Sequence, residues 1–108
     1  MSAKDEVTDT LPAWLAVMDD EDLQFLKRFQ MSSGSLKALA QEYGVSYPTV
    51  RARLDRLIAK VGAAEDPRIH DPFERKIRVW VADGKIDHAL GKSLLEAHRA
   101  STGRRDER

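Results

Sequence analysis

Between Ser46 and Arg56 the chain gathers hydroxyls, an aromatic ring and three arginines: Ser46, Tyr47, Thr49, Arg51, Ala52, Arg53 and Arg56. Such groups suit contact with a polyanion. Arginine pairs with phosphate or with the acceptor edge of guanine, and a small hydroxyl or methyl can meet a base. They are poorly suited to making or breaking bonds. The chain has no cysteine, which excludes thiolate metal sites and disulfides, and its 3 histidines, His70, His88 and His98, are too few for a metal cage without carboxylates. No glycine-rich phosphate loop or nucleophile motif is present, and the acids Asp19, Asp20, Glu21 and Asp22 are what the start of a helix collects. Neither catalysis, a bound metal nor a cofactor is expected.

The elements that must carry these side chains are helical. Ser35 can cap a short helix in which Leu36, Leu39 and Ala40 recur at helical spacing, and Gly44 supplies its left-handed end. Ser46 caps again, Pro48 sits where a missing N–H is harmless, and Val50, Leu54, Leu57, Ile58 and Val61 draw a stripe ending at Gly62. A short helix, a tight turn and a longer helix with a basic outer face form a helix-turn-helix, with residues 47–61 as the recognition helix.

Around this unit the reading is all-α: a helix-turn-helix DNA-binding-type bundle plus a C-terminal two-helix hairpin. Residues 1–10 are expected to be disordered, and Pro12 opens a short turn carrying Trp14, Leu15, Val17 and Met18. Asp19 or Asp20 then caps a helix presenting Leu23, Leu26 and Phe29, with Phe25 beside them. The helix-turn-helix domain covers 11–62, a linker 63–70, the hairpin 71–100 and a flexible tail 101–108. In the hairpin Asp71, Pro72 and Glu74 read as a capping box, followed by Phe73, Ile77, Trp80 and Val81 on one face. Gly84 ends that helix, and Asp87 caps a last one carrying Leu90, Leu94 and Ala97.

Charge is segregated although the net charge is 0. Up to Asp22, Lys4 stands against Asp5, Glu6, Asp9 and the acids of residues 19–22; from 45 to 61, Arg51, Arg53, Arg56 and Lys60 face only Asp55. The partner this implies is double-stranded DNA, and a homodimer through residues 73–100 is expected because one helix-turn-helix makes few base contacts. A helical interaction or adaptor module without DNA binding is the alternative, favoured by the zero net charge and the acidic start. No apolar run approaches the roughly 20 residues of a membrane span, and the start lacks the pattern of a signal peptide, so a cytoplasmic protein is expected.

The run from Leu36 to Ile58, with its core Gly44, Ser46-Tyr47-Pro48-Thr49-Val50-Arg51, Arg53-Leu54-Asp55, resembles the helix-turn-helix portion of the prokaryotic domain-of-unknown-function family 2089. Leu11 to Leu15 and Phe25 to Phe29 resemble the preceding helix of that family. The turn is also similar to the promoter-reading helix-turn-helix of sigma factors. Family members often carry a cysteine-rich zinc ribbon in front, which a chain without cysteine lacks. The resemblance implies a transcriptional regulator and nothing sharper.

Overall fold

A computed structural model describes residues 10–106. The expected disorder of residues 1–9 lies outside this range. Among the described residues the helices are α1 (Ala13–Ala16), α2 (Asp20–Met31), α3 (Leu36–Tyr43), α4 (Tyr47–Glu65), α5 (Pro72–Ala82) and α6 (His88–Asp106), with no strand. None of them is long and apolar enough to cross a membrane.

Side chains cap the starts of α2 to α6, whereas α1 has no side-chain cap and the box expected of Asp71 and Glu74 reduces to Asp71 alone. At α2 the Asp22 N–H donates to Asp19 Oδ1 at 2.8 Å while the Asp19 N–H donates to Asp22 Oδ2 at 3.1 Å, a reciprocal box. The Ala38 N–H donates to Ser35 Oγ at 3.1 Å, and Gly44, at φ 66°, lets the Val45 N–H reach back to the Ala40 carbonyl at 3.0 Å. Asp71 accepts from the Phe73 N–H, and Asp87 from the Leu90 N–H at 2.6 Å. The core of the first part is Phe25, Leu36, Leu39, Ala40, Val50 and Leu57, with Met18, Phe29 and Leu54 packed against it. Thus Phe25 is the anchor of α2, and Leu23, expected on the inner face, is 41% exposed.

Two expectations about the middle of the chain need correction. Helix α4 does not close at Gly62 but continues to Glu65, because Gly62 sits in an uncrowded helical position where nothing forces a turn. The expected linker 63–70 is accordingly packed rather than free. Ile69 is buried, and the Arg75 guanidinium donates to the carbonyls of Ala63 at 3.3 Å and Ala64 at 2.8 Å, and to that of Ile69. The carbonyls of Ala63 and Ala64 are orphans of the last turn of α4, which Arg75 satisfies while its charge complements the helix C-terminus. Helix α5 lies along α4, and α1 docks on it too, where the Trp14 N–H donates to Glu65 Oε1 at 2.9 Å.

Helix α6 packs mainly on α5 as the second arm of a hairpin. Gly91 makes this close: a Cβ there would stand 2.6 Å from Val81 Cγ2 and 3.6 Å from Ile77 Cγ2. Ile77, Val79 and Leu95 are buried, whereas Phe73, Trp80 and Leu90 of the expected apolar faces are largely exposed. Residues 101–106, expected in a tail, continue α6.

One charged cluster joins the parts. Lys60, on the inner side of α4, is only 1% exposed; its Nζ lies 2.6 Å from Asp22 Oδ2 and 3.3 Å from Asp83 Oδ2. It ties the start of α2 to the end of α5 through the middle of α4. Ile58, expected in the buried stripe, is instead 56% exposed. The stripe swings toward Lys60 and Ala64 because the second half of α4 is covered by α1 and α5 rather than by α2 and α3.

Candidate nucleic-acid interface

The first turn of α4 is exposed as far as Thr49, and Val50 after it is buried. The Thr49 N–H donates to Ser46 Oγ at 3.3 Å, and the two hydroxyls lie 2.8 Å apart, so Ser46 acts first as a helix cap. All residues from Gln41 to Thr49 are exposed, and Tyr47 shows 51% of its surface. Pro48 lacks an N–H and the Thr49 amide is engaged by Ser46, so this helix start meets an anion chiefly with side chains.

The candidate contacts divide into two groups. Ser46, Tyr47, Thr49, Arg51, Ala52 and Arg56 are exposed. Of these, Arg51 Nη2 is 3.0 Å from Asp55 Oδ1, one turn on, and both side chains remain about half exposed, so the pair is held weakly and either partner is open to exchange. Arg53 stands apart. Its guanidinium lies 3.4 Å from Asp22 and 3.8 Å from Glu21, with its carbon 5.7 Å from the centre of the Phe25 ring. It is turned toward α2, as a half-buried brace.

Around Asp22 the electrostatics are decided by competition. Burial raises its carboxyl pKa, but the hydrogen bond from Lys60, that from the Asp19 N–H and the charges of Lys60 and Arg53 outweigh burial and hold it below 3.8. Burial likewise lowers the Lys60 ammonium, and the hydrogen bonds and charges of Asp22 and Asp83 bring it above 10.5. Both groups are ionised at neutral pH and engaged with each other, so Lys60 takes no part in the outward-facing charge of α4.

The structure adds residues that sequence spacing alone does not bring to this face. Arg28, at the end of α2, pairs with Glu42 and lies 5.8 Å from the centre of the Tyr43 ring. With Phe25, Tyr43, Thr49, Arg53 and Arg56, and with the acids Asp20 and Glu21, it lines an open groove of about 580 Å³ beside the start of α4. The signal was the chain reversal at Ser33 (φ 57°) and Gly34 (φ 79°), which folds the end of α2 back along α3. Lys37, exposed in the first turn of α3, is a further cation near a helix start.

No curated protein and no solved structure matches the chain. Residues 18–64, which span α2, α3 and all of α4 but its last residue, match the model of the family described as "Domain of unknown function (DUF2089)-HTH".

Proposed function

We propose that the protein is a non-catalytic, cytoplasmic transcriptional regulator that reads double-stranded DNA with the first turns of α4. The observation that supports this best is the exposed, side-chain-capped start of that helix, held out by a glycine turn from α3 and bearing Tyr47, Thr49, Arg51, Ala52 and Arg56. In this reading the helix start enters the major groove, Arg51 exchanges Asp55 for a base edge or phosphate, and Arg56 meets the backbone. Two copies would supply useful specificity. Residues 73–100 are the proposed contact: the 19-residue α6 has only the 11-residue α5 as its main support, and Leu90 is 48% exposed. A radius of gyration of 17.1 Å, against about 13 Å for a compact chain of this length, also fits a protomer completed by a partner.

Fluorescence anisotropy on random duplex DNA tests the reading. Binding with a dissociation constant of roughly 10⁻⁴ to 10⁻⁶ M that weakens steeply with salt is expected. Absence of binding at low salt sinks it. Sedimentation equilibrium of the full chain should then give a dimer that Leu90→Asp dissociates. The second reading, a protein-interaction module, is favoured by the internal pairing of Arg51 and Arg53, and it predicts no salt-dependent DNA binding at all.

A further inference from the structure

A groove of about 350 Å³ lies where Val17, just past α1, Lys60 of α4 and helix α5 come together, and neither Arg51 nor Ala52 lines it. Its walls carry Val17, Pro72, Val79 and Trp80. Every ionisable side chain lining it is basic: Lys60, His70, Arg75, Lys76 and Lys85. In a chain whose net charge is 0, that is a local separation of sign. The nearest acids offset part of it. Asp22 and Asp83 hold Lys60, and Asp83 also lies 3.6 Å from Lys85, so these two carboxylates match the ammonium groups of Lys60 and Lys85 and leave that of Lys76. The Arg75 guanidinium donates to backbone carbonyls and feels the charge of Asp66, whereas Lys76, its Nζ 5.6 Å from the centre of the Trp80 ring, is in no ion pair among the described residues.

We propose that this groove binds a small anion built on an aromatic ring. The volume falls at the lower end for small-molecule sites, which limits the ligand to about one ring system with its charged group. Trp80, 37% exposed, offers its ring, Pro72 and Val79 offer apolar walls, and Lys76 is free to swing from the indole to the anion. Lys85, shared with Asp83, and Arg75, whose donors are engaged by carbonyls, add a weaker positive potential. An aromatic carboxylate and a nucleoside monophosphate share this chemistry. Inorganic phosphate lacks the ring, and a neutral ring lacks the charge. The site does not depend on the DNA reading, since Arg51 and the start of α4 are not among its lining residues.

The test follows Trp80 emission in a Trp14→Phe variant of the full chain, titrated with benzoate, adenosine 5′-monophosphate, benzamide, adenosine and inorganic phosphate. A saturable change with benzoate or the nucleotide is expected, at least about tenfold weaker with the other three. Which of the two anions binds tells a carboxylate from a phosphate headgroup. Lys76→Ala with Lys85→Ala, both at exposed positions, should weaken binding about tenfold or more, as loss of a charge-assisted contact does. Arg51→Ala should leave it unchanged. No saturable response to either anion, an equal response to the neutral rings, an unaffected double variant, or loss of binding in Arg51→Ala overturns the proposal.

Discussion

Replacing Lys60 by Met keeps the length and bulk of the side chain and deletes one charge. In the native cluster a single ammonium serves two carboxylates, Asp22 at 2.6 Å and Asp83 at 3.3 Å, with Arg53 at 3.4 Å and Lys85 at 3.6 Å supporting from the rim. Removing the central partner of a buried pair costs about 3–5 kcal/mol, because the remaining charge stays desolvated. At about 2.1 cal/mol/K of unfolding entropy per residue, the 108-residue chain loses roughly 13–22 °C in Tm. The pH dependence makes the test sharper. In the native protein Asp22 is held below 3.8, so its contribution is present above that value and is lost as pH falls through the lower folded value. Lys60 is held above 10.5, so its contribution is present below that value and is lost as pH rises past it. Without the hydrogen bond and charge of Lys60, burial pushes the Asp22 carboxyl up instead. The deficit of the variant should then shrink on mild acidification from neutral pH, and Asp83→Asn in the Lys60→Met background should recover part of it. Urea unfolding followed by circular dichroism across pH measures this. A loss below about 1 kcal/mol, with a pH profile parallel to that of the native protein, refutes the buried-cluster account.

Three further outcomes are expected. Arg75→Met removes the bonds to Ala63, Ala64 and Ile69 and should cost about 1.5–3 kcal/mol in urea unfolding, with faster amide exchange at residues 63–69. Gly62→Ala, uncrowded in a helix, should stabilise by about 0.5–1 kcal/mol, whereas Gly91→Ala should destabilise or at best break even, since its Cβ lies too close to Val81. Arg51→Ala should weaken DNA binding by about 1–3 kcal/mol at unchanged Tm, while Arg53→Ala should lower Tm; a DNA-only effect of Arg53→Ala contradicts its placement against Phe25 and Asp22.

Turn and cap chemistry proved readable because it is local. Ser35, Gly44, Ser46, Gly84, Asp71 and Asp87 each act within a few residues, and each stands where its type predicts. What hydrophobicity alone missed was a polar core position. Lys60 follows Leu57 by one turn and precedes Ala64 by another, so its spacing placed it inside, but its charge placed it outside. Only the distant arrival of Asp22 and Asp83 resolves that conflict, and neither is a neighbour in sequence. The same distance hid the orientation of Arg53, which follows from the acids at the start of α2. Ile58 and Leu23 erred the other way, as apolar residues at borders that no helix covers. Of the candidate interface, the exposed cap and Arg51 were legible, whereas Arg28 and Tyr43 required the reversal between α2 and α3.

Helix α4 runs without a break from its exposed first turn to the seat of α5, about 28 Å, and Arg75 locks the exit. Two copies docked on DNA as proposed would behave as a caliper with a fixed jaw. Inserting one base pair between the half-sites would move the second by about 3.4 Å and turn it by roughly 35°, and the locked α4–α5 unit has no slack with which to follow. The misfit falls on the DNA, which must twist or bend, so tolerance of spacer length becomes a matter of how easily the intervening steps deform. Flexible pyrimidine–purine steps in the spacer should rescue a mis-spaced site, and a stiff A-tract should not.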